Sequence, residues 1–269
     1  MNLQNLKDTA RRVRRHIAKM HAVSNTSHIG SAFSSVDILV CLYFSILKIN
    51  PGKPHKINSD RFVMSKGHAG SALYAVLAER GFFDKKLLKH YCSEGGILPG
   101  HVTRGCVAGV EVSTGSLGHG LAIGAGMALA AKKDKKRHHI FVLMSDGECQ
   151  EGSVWETALF ARQHCLENLI AIIDYNKIQA FGRIKEVLDL EPLEAKWEAF
   201  EWSVREIDGH DFLEINSTLK KVPFEKNKPS VIIAHTVKGK GVSFMEDTLE
   251  WHYKSPNREE LKKIFSELE

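Results

Sequence analysis

Apolar and polar residues follow two rhythms along this chain, and the rhythms separate strands from helices. Short unbroken apolar runs bounded by turn residues predict buried strands at 62–64, 140–144, 169–173 and 231–235, with a weaker strand at 203–207. Between them, apolar residues recur at helical spacing over about the first 20 residues, then over 36–47, 71–80, 121–131, 155–165, 192–200, 212–219 and 257–268. Asn50-Pro51-Gly52-Lys53-Pro54 ends the second helix, and the stretch 93–120, which holds eight glycines, reads as loop. Strand and helix alternate, which predicts an α/β fold: a doubly wound, mostly parallel sheet with helices on both faces. No repeat, low-complexity tract or linker interrupts residues 1–269, so one domain is expected.

The stretch 139–178 is the clearest β–α–β unit, and it carries the first candidate chemistry. Asp146 lies just past its first strand and Asn176 just past its second. Parallel strands joined by a helix put both C-termini on one sheet edge, where ligands of open α/β folds sit. One carboxylate and one amide oxygen therefore converge, a hard-oxygen pair with vacancies that suits Mg2+. The plainer alternative makes Asp146 a turn residue bonding its own backbone.

Four of the 14 histidines, His28, His68, His101 and His252, fall in Gly- or Pro-bearing turns where elements end. Singly each would be surface; together they fit a polar pocket, since imidazoles bond phosphate and move protons near neutral pH. The glycines of Gly118-His119-Gly120-Leu121-Ala122-Ile123-Gly124-Ala125-Gly126 miss the dinucleotide fingerprint and follow a loop instead of a strand. Small residues that let a helix approach its neighbours explain them better. The chain contains no H-E-x-x-H pair, G-x-S-x-G elbow or Walker A loop.

Bulk composition narrows the classes. With 269 residues, 43% of them apolar, the chain can bury a full core. A net charge of +5 is too mild and dispersed for a nucleic-acid footprint. Arg11-Arg12-Val13-Arg14-Arg15 is a dense basic cluster. With Leu3, Leu6, Val13, Ile17 and Met20 around it, a solvated face of an amphipathic helix is expected. Five cysteines without a C-x-x-C pair indicate a reducing compartment with neither a disulfide framework nor a cysteine zinc site. Lacking a signal-type apolar core or a membrane-length apolar run, the protein is expected to be soluble and cytoplasmic.

With these residues in hand, the sequence resembles the N-terminal, diphosphate-binding part of transketolase, a thiamine-diphosphate enzyme. Ser145-Asp146-Gly147, 28 intervening residues and Asn176 resemble its G-D-G-x(25–30)-N motif, with Ser145 in place of the first glycine. Similar too are Glu148-Cys149-Gln150-Glu151-Gly152-Ser153-Val154-Trp155-Glu156, Ser65-Lys66-Gly67-His68, Pro99-Gly100-His101 and Thr114-Gly115-Ser116-Leu117-Gly118-His119-Gly120. Ile207-Asp208-Gly209-His210-Asp211 and Lys238-Gly239-Lys240-Gly241-Val242-Ser243-Phe244 complete the set, in the family's order over nearly the whole chain.

The resemblance implies specific roles. Asp146 and Asn176, with the Ile178 carbonyl, would hold Mg2+ (or Ca2+ or Mn2+ in its place). His68 and Gly147 would contact the cofactor diphosphate. Gly115 and Leu117 would line the bent thiamine diphosphate, and Glu151 would couple paired sites across an interface. His28, His101 and His252 would surround the reacting sugar, His252 also reaching the cofactor. The implied reaction moves a two-carbon ketol unit from a ketose to an aldose.

Two departures qualify this. Cys92 stands where such enzymes often carry an arginine for the sugar phosphate, and Val102-Thr103-Arg104 replaces a proline-led continuation. A phosphate-end contact is thus lost or moved to Arg104, and a sulfonated or otherwise modified sugar becomes possible. The second departure is length: the chain holds the diphosphate-binding domain, while the family's activating glutamate comes from a pyrimidine-binding domain. Either a natural N-terminal subunit or a piece of a longer chain is expected; the helix after Trp251-His252-Tyr253 favours a natural subunit, which the family resemblance would complete with a C-terminal partner subunit in an α2β2 heterotetramer. Alternatives are a component of a 2-oxoacid-decarboxylating or deoxyxylulose-phosphate-synthase-like enzyme, or a non-catalytic scaffold homologue.

Overall fold

The computed structural model describes residues 2–54 and 56–269. Five strands form its main sheet: β1 (Arg61–Met64), β2 (Ile140–Ser145), β3 (Leu169–Tyr175), β6 (Ser203–Asp208) and β7 (Ser230–His235). They lie in the order β1-β2-β3-β7-β6 and every pair is parallel. The expected doubly wound sheet is thus present. Its strands are apolar on both faces because helices cover both.

Side chains alternate across the sheet and feed two cores. Phe141, Leu143, Ile170, Ile172 and Ile232 pack against helices α1 (Leu3–Ser24), α2 (Ile29–Ser34), α3 (Val36–Cys41) and α4 (Gly70–Arg80), with α9 (Phe212–Leu219) and α10 (Arg258–Glu267). Val142, Met144, Ala171, Ile173 and Val231 face α5 (His119–Lys133), α6 (Gly152–Gln163) and α8 (Leu193–Ala199). In α10 the Asn257 side chain and Glu260 form a capping box that starts the helix.

Three expectations change. The helix expected over 36–47 begins earlier and breaks into α2, α3 and a π-helical turn, Leu42–Ile46. At the first joint the Ser35 amide reaches back only to the Ala32 carbonyl, 3.3 Å away. The Ser34 and Ser35 hydroxyls turn into the core instead of toward solvent. Second, the basic cluster in α1 is not simply a solvated face. Helical spacing turns Arg14 inward beside Ala10 and Ile17, where its guanidinium grips both oxygens of buried Asp37 at 2.8 Å. Third, a two-stranded hairpin follows β3: β4 (Ile178–Gln179) pairs antiparallel with β5 (Gly182–Arg183), and one helical turn, α7 (Ile184–Val187), follows. Two-residue strands leave no periodicity to read. Among the described residues no helix is long and apolar enough to cross a membrane.

Candidate active site

The C-terminal edge of the sheet gathers the candidate chemistry. β2 delivers Asp146 and β3 delivers Asn176, both buried, as the β–α–β reading required. Asp146 also acts as a turn residue: its Oδ1 accepts from the Gly147 amide at 2.7 Å, and its Oδ2 accepts from the Lys177 amide at 2.5 Å. That second bond ties the end of β2 to the end of β3. Asn176 Oδ1 accepts from the Ile178 amide at 3.1 Å, so Asn176 and Ile178 share the turn after β3 and the Lys177 amide ties Asp146 to it.

Burial, then the nearby Asp174 carboxylate, raises Asp146 to a pKa of about 6. Its direct partners are backbone amides, and among the described residues no basic side chain is within ion-pair distance of it. A buried carboxylate lacking a cation at contact distance is a fitting seat for one. Among the described residues no three His, Cys, Asp or Glu side chains gather as a metal cage. A cation here would rest on one carboxylate, one amide and one carbonyl, leaving positions for phosphate and water. That set suits Mg2+ better than zinc.

The four histidines come from four separate segments and meet. The His28 ring centroid lies 5.3 Å from that of His68, 6.1 Å from His101 and 4.9 Å from His252; His68 and His252 are 6.2 Å apart. His28 takes a left-handed backbone (φ 76°) at the start of α2, and its amide donates to the His252 carbonyl at 2.8 Å, which joins an early and a late segment of the chain over the site. Burial is the main reason that His28 and His252 fall to pKa values of about 4 and about 3. His68 is held well below 6.5 for the same reason, with Lys66 adding to the effect. Neutral imidazoles offer both a donor and an acceptor, which is what a polyhydroxylated substrate needs.

Gly115 and Leu117 lie in the loop before α5, and Gly115 abuts the cluster. A Cβ on Gly115 would sit 3.1 Å from the His101 ring. Glu151 is exposed at the head of α6, where the left-handed Gly118 (φ 83°) leaves it room: a Cβ there would come within 2.7 Å of the Glu151 Cβ. Buried Glu148 accepts from the Gly118 amide at 2.9 Å and from the Ser65 hydroxyl, pinning this loop to the end of β1. Cys92 is exposed at the rim, its Sγ 3.1 Å from where a Cβ on Gly100 would be. Arg104 does not join the histidines. It lines a hollow of about 740 Å³ with Arg61, Glu111 and Ile123, beside the first residue of β1.

Two site residues are not legible as such in the sequence, although the motifs that contain them are. Lys66 and Lys238 are both fully buried, at 0% exposure. Lys66 Nζ pairs with Asp174 and donates to the Ser31 carbonyl at 3.1 Å. Lys238 Nζ donates to the Ile178 carbonyl at 2.9 Å and to His252 Nδ1 at 2.8 Å. Burial, then the charge of Lys66, lowers it to about 8. Lys238 thus links the candidate metal turn to the histidine cluster, and a buried ammonium at that position favours an anion such as a diphosphate. A lysine inside a glycine-flanked turn reads as surface; only the assembled fold turns it inward.

Comparison with known proteins shows the family. The family described as "Transketolase, thiamine diphosphate binding domain" matches residues 7–268. The chain is 41% identical over 268 residues to an apulose-4-phosphate transketolase subunit of Phocaeicola vulgatus, covering 100% of this chain and 95% of that protein. It is 43% identical over 242 residues to the 6-deoxy-6-sulfo-D-fructose transketolase subunit SqwG of a Clostridium species, covering 90% and 88%. The transketolase crystal structure from Campylobacter jejuni superposes with a TM-score of 0.93 at 34% identity. That match covers 100% of this chain but 43% of the Campylobacter chain.

Proposed function

The chain belongs to the transketolase family of thiamine diphosphate-binding domains, and we propose that it is the cofactor-anchoring subunit of a two-chain, Mg2+-dependent transketolase. Its 269 residues serve as a single diphosphate-binding domain. Asp146, Asn176 and the Ile178 carbonyl would hold Mg2+, and His68 and Gly147 would contact the diphosphate. Gly115 and Leu117 would line the cofactor, and Glu151 would face a neighbouring subunit. When bound, the cofactor supplies the nucleophilic carbon at which a ketose is cleaved and its two-carbon ketol unit carried to an aldose.

The protein's part is to bind, orient and move protons. His28, His101 and His252 would hold the sugar hydroxyls; each imidazole can take a proton from one hydroxyl and return it to another. His252 has its Nδ1 occupied by Lys238, which leaves Nε2 to face the cluster. The observation that carries the reading is Lys238 itself. It touches both the Ile178 carbonyl and His252, so the cation turn and the sugar-binding histidines form one site.

Two-chain assembly is supported by the relatives named as subunits, which have nearly this chain's length. The hairpin beside Ile178 supports it as well. It carries Phe181 at 82% exposure, with Val187, Leu188 and Tyr253 exposed nearby, an apolar rim suited to a covering chain. The partner would be a C-terminal subunit with the pyrimidine-binding domain and its activating glutamate, in an α2β2 assembly acting in the cytoplasm. Ketose phosphates or sulfo-sugars, the classes named for the relatives, are the proposed donors.

Titration calorimetry and a ketol-transfer assay test this. The purified chain should bind thiamine diphosphate saturably in the presence of Mg2+ yet show no ketol transfer until a C-terminal subunit is added. No cofactor binding by the chain, with or without that subunit, would overturn the cofactor reading; full turnover by the chain alone would overturn the two-chain reading.

A further inference from the structure

Behind the candidate metal turn lies a polar network that the cofactor reading leaves without a role. Asp174 sits within β3, opposite Ser145 of β2 and Ala234 of β7, and is fully buried. Its carboxylate is saturated. Oδ2 accepts from Lys66 Nζ, from Ser34 Oγ at 2.6 Å and from Ser35 Oγ at 3.1 Å, while Oδ1 accepts from Thr236 Oγ1. Buried ion pairs seldom add net stability, so a fully satisfied one beneath a binding site invites a different role.

The hydroxyl of Ser34 has one proton and two possible acceptors. The Ser31 carbonyl is 3.1 Å away, and the charged Asp174 oxygen is 2.6 Å away. The shorter bond to the ionised group is the stronger, so the proton goes to Asp174. Ser34 then has lone pairs to offer, and Asn176 Nδ2 lies 3.4 Å from its oxygen. A carboxamide has two faces, and its neighbours decide which is which. With Ser34 committed as acceptor, Asn176 must turn its NH2 toward Ser34 and its oxygen toward the Ile178 amide and the Asp146 turn. We propose that Asp174, acting through the Ser34 hydroxyl, is a positioning group that holds the Nδ2 side of the Asn176 amide while the Ile178 amide holds its oxygen side, so that the oxygen is presented to the cation. Lys66, itself held by the Ser31 carbonyl at 3.1 Å, pins the Asp174 carboxylate in place. Ser35, whose hydroxyl lies 2.9 Å from the Ser31 carbonyl and 3.1 Å from the same carboxylate oxygen, makes no bond to Asn176, which makes it a built-in control.

This assignment rests on the proposed cation site, and the experiment separates the two. Cofactor uptake is followed by calorimetry in the full complex while Mg2+ is varied, with melting temperature recorded alongside. Loss of an outer partner of a metal ligand typically weakens metal binding by about 10–100-fold. Ser34→Ala should therefore raise the Mg2+ concentration for half-saturation by about that factor, with cofactor uptake restored by excess Mg2+. Ser35→Ala should stay within about twofold of wild type at a similar melting temperature. Equal shifts in both variants, or none in Ser34→Ala, would overturn the relay. Wild-type protein whose cofactor uptake ignores Mg2+ would overturn the cation site, and the relay with it, before any variant is made.

Discussion

His21 carries a pH dependence that the candidate site does not need. It lies on α1, fully buried, with Nδ1 donating to the Thr26 carbonyl at 3.0 Å and Nε2 accepting from the Ser71 hydroxyl at 2.8 Å. Burial lowers its pKa from 6.5 to about 4. The unfolded chain thus binds a proton that the folded chain refuses, and the ring's contribution is present above pH 6.5 and lost as pH falls toward 4. Between pH 7 and pH 5 this one ring should remove about 2 kcal/mol of stability. Urea unfolding should show that loss in the wild type and a correspondingly smaller one in His21→Gln, which keeps a donor and an acceptor but cannot titrate. The same scale shows where sequence reading stops. Asp146, Asn176 and the four histidines are legible because polar residues at strand ends and glycine turns stand out. Lys66, Lys238 and Asp174 are not. Charged side chains are almost never fully buried unless paired, and their partners lie far away in sequence.

Helix α5 illustrates what an element's pattern does and does not say. Its small residues predict a packing device, and the structure divides them. At Gly124 an added Cβ would meet Val142 of β2 at 2.5 Å, whereas at Gly126 it would meet nothing within 4 Å. Ala normally stabilises a helix interior over Gly by about 1 kcal/mol. Gly126→Ala should gain up to about that amount, while Gly124→Ala should lose about 1–3 kcal/mol by pushing the helix off the sheet. Opposite signs in thermal unfolding would confirm the close approach; a gain in both would refute it. Most other elements are legible from period alone, because buried parallel strands and amphipathic helices repeat long enough to register. The exceptions are α2, α3 and the π turn, where the Ser34 and Ser35 hydroxyls reach both the Ser31 carbonyl and Asp174, and the short hairpin β4–β5.

At the scale of the whole molecule, the sheet's C-terminal edge is both the chemical edge and the open one. Lys238 lies buried against His252 and the Ile178 carbonyl, His28 and His68 gather beside His252, and the hairpin raises Phe181 clear of the fold. Arg183 pairs with Asp247 at 2.6 Å and Tyr253 bonds the Ala180 carbonyl at 2.7 Å, so the hairpin is fastened to the segment that carries His252. An apolar tip held in place this firmly is suited to meet another surface without an entropic penalty for ordering it. Because Phe181 touches no core, Phe181→Asp should leave the melting temperature of the isolated chain unchanged. In the proposed two-chain enzyme it should weaken association with the C-terminal subunit by about tenfold or more, as central aromatic anchors do. Surface plasmon resonance between the two subunits reads this directly, and an unchanged affinity would place the partner elsewhere. Activity should then recover as partner concentration rises, since the variant leaves the cation turn and the histidines untouched.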